Sequence, residues 1–248
     1  MRLSLVGGEE FADGFEDVHA ELLSAVGGSK SRGVFLPTAA AEDGPDVVDY
    51  WRDLARRRLS ATGAAVDAPC VVDKASANDE QTAALLANAD WIYLGGGKPH
   101  VSMGILSGTR VMDELVAAAK RSTLIIGASA GAMMMCTRSV VLTPEVMATF
   151  ERALQSHHPD EPSPTPPWLD CLDLVPKSMC VPHFDRSYSR RWEDRRIHPA
   201  GLTLIGVDEQ TALSNVTGTW VVSGRGTITI IPDGGTPTKY HAGQTLAL

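Results

Sequence analysis

Residues 124–132 read LIIGASAGA, and this stretch indicates the fold more clearly than any other part of the chain. Leu124–Gly127 is a strictly apolar run with the length of a buried strand, and Ala130–Arg138 has helical character. Between them lies a G-x-S-x-G turn, Gly127–Gly131, whose small residues allow a sharp reversal of the chain. The stretch therefore predicts a strand that ends in a tight turn and continues into a helix.

Short apolar runs alternate with amphipathic segments on the N-terminal side of this turn. Strands are predicted at five apolar runs: Arg2–Val6, Gly33–Pro37, Val71–Val72, Trp91–Leu94 and Leu124–Gly127. Helices are predicted at four periodic segments: Phe15–Val26, Pro45–Leu59, Asn78–Asn88 and Val111–Lys120. This alternation is typical of a parallel sheet with helices on both faces. Since the carboxyl ends of parallel strands share one rim, we expect the loops at Gly7, Gly95 and Ala128 to meet there.

The last third of the chain has a different character. Five prolines in residues 158–168 exclude a helix or a central strand, and the segment is interpreted as a loop or lid. Met179–Phe184 and Leu202–Val207 predict further strands, and the residues around Ser223–Gly226 predict a C-terminal β-hairpin. The expected architecture is one α/β domain over residues 1–248, with a mainly parallel central sheet and this Pro-rich insertion.

Composition and charge exclude several functional classes. The chain has 248 residues, of which 44% are hydrophobic and 21% charged, as in ordinary globular proteins. Its formal net charge of −8 disfavours binding to nucleic-acid backbones. The longest nearly apolar run, Leu124–Cys136, is too short to span a bilayer. Its four cysteines have no disulfide-scaffold or zinc-finger spacing. We expect a cytoplasmic protein without nucleic-acid or membrane partners.

Ser129 and His183 are the candidate catalytic residues. In a strand–turn–helix context the Ser129 hydroxyl is held clear of the sheet, and the helix N-terminus behind it offers N–H groups to an oxyanion. His183 follows an apolar strand, so it lies on the same rim and is suited to act as a general base. The alternatives are a helix-capping serine and a structural, half-buried histidine. Gly95–Gly97, at another strand end, either supplies a second oxyanion donor or is a flexible turn.

The sequence offers no convincing metal or cofactor site. His157 and His158 lie beside Asp160 and Glu161, but adjacent side chains point to different sides and no third ligand has suitable spacing. No phosphate-binding or dinucleotide-binding glycine motif is present. We therefore expect neither a metal nor an organic cofactor.

Five blocks of sequence occur in a characteristic order: Gly7–Glu9, Tyr93–Gly97, Gly127–Ala132, His183-Phe184 and Gly206–Ala212. Together they resemble the serine peptidase family S51, which includes cyanophycinases and α-aspartyl dipeptidases. The resemblance implies a class I glutamine-amidotransferase-like fold of the flavodoxin type, with three α/β/α layers. It also implies a serine hydrolase that cleaves peptide or isopeptide bonds in small acidic, aspartyl-containing peptides, and a homodimer, as in many relatives.

The resemblance assigns roles to individual residues. It implies Ser129 as nucleophile and His183 as base, with the backbone N–H groups of Gly97 and Ala130 as the oxyanion hole. By position after the serine, Glu145 is implied as the third member of the triad.

Other acids compete with Glu145 for the place beside the histidine. Asp185 follows His183 by two residues, the spacing that related amidotransferases use, and residues two apart share a face of a strand. Asp208 and Glu209 are interpreted as structural residues at the end of a strand. Glu145 is the acid predicted here.

The residues implied in substrate binding depart from the family pattern. Lys98 stands where relatives carry Gln or Asn, and the arginines that follow the histidine are displaced, at Arg186 and Arg190. These cations are predicted to hold a substrate carboxylate, or else form a solvated basic helix start. Two other functions stay open, namely a binding protein that has lost turnover and an esterase or amidase with the same triad. Glutamine amidotransfer is disfavoured because that chemistry uses cysteine at the elbow.

Overall fold

The computed structural model describes residues 1–141, 143–146, 148, 152, 167–186 and 200–248. In this part of the chain the strands are β1 (Arg2–Val6), β2 (Arg32–Leu36), β3 (Ala65–Asp67), β4 (Trp91–Leu94), β5 (Leu124–Ala128), β6 (Arg138–Val140), β7 (Trp168–Asp170), β8 (Ser178–Val181), β9 (Thr203–Val207), β10 (Thr211–Ser214), β11 (Trp220–Gly224), β12 (Thr227–Ile231), β13 (Thr238–His241) and β14 (Thr245–Leu246). The α-helices are α1 (Glu16–Ser24), α2 (Pro45–Ser60), α3 (Glu80–Ala87), α4 (Pro99–Leu106), α5 (Arg110–Lys120) and α6 (Ala130–Met135).

Local sequence explains where several helices begin and end. Pro45 occupies the first position of α2, where its missing N–H costs nothing, and basic residues in the last turn complement the helix dipole. α3 is capped by Asp79, whose carboxylate accepts the backbone N–H of Thr82 at 2.7 Å. The predicted cap, Asn78, lies in the short 3₁₀ turn that precedes this helix.

The central sheet has eight strands in the order β14–β11–β10–β1–β5–β4–β2–β3. The strands from β1 to β3 in this order run parallel, and β10, β11 and β14 extend the sheet with antiparallel pairings. The expectation of a mainly parallel α/β sheet is confirmed. The prediction of the third strand at Val71–Val72 is wrong, since this strand is Ala65–Asp67. The edge strand is only partly buried and therefore lacks an apolar run, whereas the apolar Val71 is buried within a loop.

Helices cover both faces of the central sheet. Ile92 and Leu94 of β4 contribute to a core cluster that includes residues of α3 and α5. Trp91 and Tyr93, which alternate with them, contribute to a second cluster with residues of α1 and α2. Alternate side chains of a strand point to opposite faces, so the strand is buried on both sides. The three-layer α/β/α arrangement follows directly.

A second sheet has four strands in the order β13–β12–β9–β8. β12 and β13 pair antiparallel, so a C-terminal hairpin is present. This hairpin is not the one expected around Ser223–Gly226, whose flanking strands are β11 and β12. These two strands lie in different sheets, since β11 pairs with β10 in the central sheet and β12 pairs with β9. β8 and β9 run parallel, with Val181 opposite Gly206. The residues that follow these two strands therefore emerge side by side.

The predicted Pro-rich loop falls largely outside the described residues. Residues 158–166 of this loop are not described, and His157 is not described either. Trp168 begins the short strand β7. The last position of the predicted loop is thus a strand residue. Among the described residues, none of the helices combines the length and apolar character needed to cross a bilayer.

An aromatic region of the core encloses two ionisable side chains. His19 on α1 is 2% exposed, and its Nε2 lies 3.4 Å from the Tyr93 hydroxyl. Burial lowers the pKa of His19 to about 4. Glu10, on the loop after β1, is 5% exposed, and burial raises its pKa to about 7. In the folded protein His19 is therefore mainly neutral above about pH 4, and Glu10 is mainly neutral below about pH 7.

Glu10→Gln is expected to change how stability depends on pH. As pH rises from 4.5 to 7, Glu10 ionises first in the unfolded chain, which costs the folded state about 3 kcal/mol. The variant lacks this cost, so its free energy of unfolding relative to wild type should rise by that amount across the interval. For His19→Phe the relative gain should appear as pH falls from 6.5 to 4, since His19 protonates first in the unfolded chain.

Denaturant unfolding of wild type and both variants at several pH values measures these slopes. Asp17→Asn, which changes an exposed acid on α1, is the control and should follow wild type. Parallel pH profiles for Glu10→Gln and wild type would contradict the account of Glu10.

Candidate active site

Ser129 stands at a sharp turn between β5 and α6. Its backbone has φ 51° and ψ −113°, a conformation that is strained for a residue with a side chain. The turn lies directly against β4, since a Cβ on Gly131 would come within 2.1 Å of the Leu94 carbonyl oxygen. The structure therefore has the strand–turn–helix geometry predicted for residues 124–132.

His183 follows β8 by two residues and also has a positive φ, 52°. Its ring lies directly over Gly8, where a Cβ would approach the ring carbon Cε1 to 2.2 Å. Only glycine leaves room for the imidazole at this position. The ring is thus located by the backbone of the loop that follows β1.

Three consecutive carbonyl groups at the end of β1 fix the segments that form the site. Each accepts one backbone N–H at 2.9 Å, and the pairs are Val6 with Ser129, Gly7 with His183 and Gly8 with Gln210. These bonds connect the central sheet to the segments after β5, β8 and β9. The loops at Gly7 and Ala128 accordingly meet at one rim, as expected.

A chain of two hydrogen bonds joins Ser129, His183 and Glu209. The Ser129 Oγ lies 3.0 Å from His183 Nε2, and His183 Nδ1 lies 2.7 Å from Glu209 Oε1. The Glu209 side chain is 15% exposed, so this ion-pair geometry is largely shielded from water. The structure brings together the predicted serine and histidine, and it adds an acid interpreted from sequence as structural.

Glu145 and Asp185, the two acids considered for this role, lie elsewhere. Glu145 is exposed, and hydrogen bonds from its own backbone N–H and the Thr143 side chain hold the pKa of its carboxyl below the usual value. Asp185 does not contact the His183 ring, and its Oδ1 accepts the backbone N–H of Glu209 at 3.0 Å. The carboxylate at His183 Nδ1 therefore belongs to Glu209 in the structure, and not to Glu145, the acid that the resemblance implies.

The position of Glu209 follows from the pairing of β8 with β9. His183 is two residues beyond Val181 and Glu209 is two residues beyond Val207, at the ends of two parallel neighbours. The backbone N–H of Phe184 donates to the Val207 carbonyl at 3.1 Å, which continues this alignment past the strands. The sequence predicts both strands, but it does not predict that β8 and β9 are neighbours in a sheet. That pairing places Glu209 beside His183. Asp208 has the structural role expected, since its Oδ2 accepts from Thr227.

The glycine turn after β4 lies against the serine. A Cβ on Gly96 would come within 3.4 Å of the Ser129 Cβ. The backbone N–H of the next non-glycine residue, Lys98, donates to the Ala39 carbonyl at 2.7 Å and anchors the turn. Gly97, the next residue of the turn, lines the same cavity as Ser129, and Ala130, the first residue of α6, directly follows the serine.

Two of the three predicted substrate cations, Lys98 and Arg186, are already engaged by carboxylates. The Lys98 Nζ lies 3.2 Å from Asp43 and 3.5 Å from Glu42, and hydrogen bonding to Asp43 raises the pKa of this ammonium. Arg186 Nη2 contacts the Glu209 Oε1, the same oxygen that His183 contacts. Arg190 lies outside the described residues.

A cavity of about 530 Å³ opens at the serine and histidine. Its wall combines aromatic side chains, among them Phe11 and Trp51, with the acids Glu9, Glu10 and Asp43. No lysine or arginine lines it among the described residues. In the same part of the chain, no group of three His, Cys, Asp or Glu side chains is placed to hold a metal ion.

A serine, a histidine and a carboxylate that are hydrogen-bonded in series beside a cavity form the arrangement found in serine hydrolases. The sequence matches peptidase family S51 over residues 3–221. The chain therefore belongs to peptidase family S51, and membership of this family supports a peptidase function.

Similar proteins agree with this assignment. Peptidase E of Citrobacter koseri is 28% identical over 218 residues, which span 85% of this chain and 80% of that protein. The crystal structure of a peptidase from an acI-B1 Actinobacterium has a TM-score of 0.78 at 22% identity and covers 100% of this chain and 96% of its own. A putative peptidase E from Listeria monocytogenes EGD-e has a TM-score of 0.58 at 16% identity, with 91% and 98% covered. These two structures show that the fold is shared.

Proposed function

We propose that the protein is a serine peptidase whose catalytic triad is Ser129, His183 and Glu209. The observation that carries the proposal is the unbroken hydrogen-bond chain from the Glu209 carboxylate through both ring nitrogens of His183 to the Ser129 hydroxyl. Each group has the partner that the chemistry requires, and the nucleophile opens onto a cavity.

In the proposed reaction the Ser129 Oγ attacks the carbonyl carbon of the scissile peptide bond. His183 Nε2 takes the hydroxyl proton and later delivers it to the leaving amine, while Glu209 accepts the Nδ1 hydrogen and stabilises the imidazolium. Water then attacks the acyl-enzyme with His183 again acting as base, which releases the acid product and restores the serine.

The oxyanion formed in each step is proposed to bind the backbone N–H groups of Gly97 and Ala130. Gly97 belongs to the turn that lies against Ser129, and Ala130 begins the helix directly after it. Backbone donors that are fixed before the reaction stabilise developing charge without reorganisation. The strained backbone of Ser129 supports the same role, because such strain is maintained where it serves a site.

Small peptides are the proposed substrates, in keeping with the family and with a cavity of this size. The charges of the described residues do not favour the acidic, aspartyl-containing peptides that the resemblance implies. Carboxylates line the cavity, and Lys98 and Arg186 are paired with carboxylates. An acidic side chain would therefore displace an existing ion pair to gain a partner.

A dipeptide set tests this function and the contribution of substrate charge. Each aspartyl dipeptide is matched with its asparaginyl counterpart, and products are followed by mass spectrometry. We expect wild type to cleave members of the set and Ser129→Ala to cleave none, with the asparaginyl peptides cleaved at least as fast as the aspartyl ones. Cleavage that persists in Ser129→Ala contradicts the triad, whereas a tenfold or greater preference for aspartyl peptides contradicts the account of charge.

A further inference from the structure

The segment that carries the histidine contacts Glu209 at three points. The His183 ring and the Arg186 guanidinium both contact the Glu209 Oε1, and Asp185 Oδ1 accepts the Glu209 backbone N–H at 3.0 Å. The segment is itself closed by a turn in which the Arg186 N–H donates to the His183 carbonyl at 3.0 Å. Glu209 is thus held through its side chain and its backbone by residues of a single turn.

We propose that Arg186 is a positioning residue of the catalytic triad, which fixes the Glu209 carboxylate beside His183 and does not bind substrate. The proposal rests on the proposed function of the triad. Nothing in the sequence pattern assigns this role, since the resemblance implies a substrate-binding arginine at this place.

The geometry supports orientation of the carboxylate. An oxygen that accepts two donors from different directions is fixed more narrowly than one with a single partner, and a charged guanidinium is a strong donor. Arg186 Nη2 also lies 3.9 Å from Glu9 Oε1. The other carboxylate oxygen of Glu9, Oε2, accepts a hydrogen bond from Gln210 Nε2 at 3.0 Å. The arginine is therefore held from both sides, close to Glu209.

Labelling by an uncharged fluorophosphonate tests this role, because the probe has no carboxylate for Arg186 to bind. Arg186→Met is expected to lower the second-order rate constant about tenfold, since the Glu209 carboxylate loses one of its two donors. Arg186→Lys keeps a charged donor, so it should be labelled within about threefold of the wild-type rate. Arg110→Met, which breaks an ion pair with Glu80 on the helix surface, should leave the rate unchanged.

Two outcomes overturn the proposal. The first is a folded Arg186→Met protein that is labelled at the wild-type rate. The second is a folded Arg186→Lys protein that is labelled as slowly as Arg186→Met. If folded wild type is not labelled at all, the triad itself fails, and this result is distinct from a failure confined to the Arg186 variants.

Discussion

Glu209→Gln is expected to slow acylation of Ser129 by about 10³- to 10⁴-fold. Glu209 Oε1 lies 2.7 Å from His183 Nδ1, and the neutral tautomer that donates to this carboxylate presents an accepting Nε2 to the serine 3.0 Å away. A glutamine of the same shape can present its NH₂ group to Nδ1 and so favour the tautomer that cannot take the serine proton. It also removes the charge that stabilises the imidazolium. The measurement is the rate of fluorophosphonate labelling, followed by intact mass.

Glu145→Gln is the matched control for this experiment. Glu145 is an exposed acid whose hydrogen bonds come from its own backbone and from Thr143, so the variant should be labelled at the wild-type rate. The account of the triad acid is wrong if Glu145→Gln loses the reaction while Glu209→Gln keeps it.

Gly8→Ala is expected to lower the labelling rate by about 100-fold or more. The added methyl group would stand 2.2 Å from the Cε1 of His183 and 2.6 Å from its Nδ1, so the ring must move away from Ser129 or from Glu209. A displacement of about 1 Å in a catalytic group is enough for a loss of this size. The effect should be on the rate of acylation, with the labelled residue unchanged.

Gly218→Ala separates this effect from backbone strain. Gly8 and Gly218 both have a positive φ, 128° and 96°, but a Cβ on Gly218 meets no atom within 4 Å. Both variants should lose about 1 kcal/mol or more of stability from strain, and Gly8→Ala alone should lose reactivity. Equal labelling of the two folded variants would show that Gly8 does not locate the imidazole.

Much of the fold could be predicted because its central strands have strong local signals. β4 and β5 are short apolar runs that are buried on both faces, and the segments that became α2 and α5 have clear helical periodicity. The edge strand β3 has no continuous apolar run in its sequence. Its side chains are exposed or only partly buried, so the strand does not need one. The pairing of strands in the second sheet could not be predicted, because neither of two distant segments shows in its own sequence that it pairs with the other.

The candidate site shows the same division. Ser129 is marked by a local motif, and His183 by its place after a strand. Glu209 lies in the sequence block Gly206–Ala212, but nothing within that block indicates a contact with His183, and Glu209 reaches the histidine because β8 and β9 are parallel neighbours. The resemblance implies Arg186 as a substrate residue, and its ion pair with Glu209 is visible only in the folded structure. These roles depend on tertiary pairing, which a single sequence does not specify.

Ser129, His183 and Glu209 are proposed to work together as one catalytic centre. The most direct test is to label the folded wild-type protein with a fluorophosphonate and to locate the adduct by peptide mass spectrometry. In this reaction the Ser129 Oγ forms a bond to phosphorus, fluoride leaves, and the hydroxyl proton passes to His183. We expect one adduct per chain, on Ser129, and none in Ser129→Ala. A folded protein that stays unlabelled, or an adduct at another residue, would contradict it.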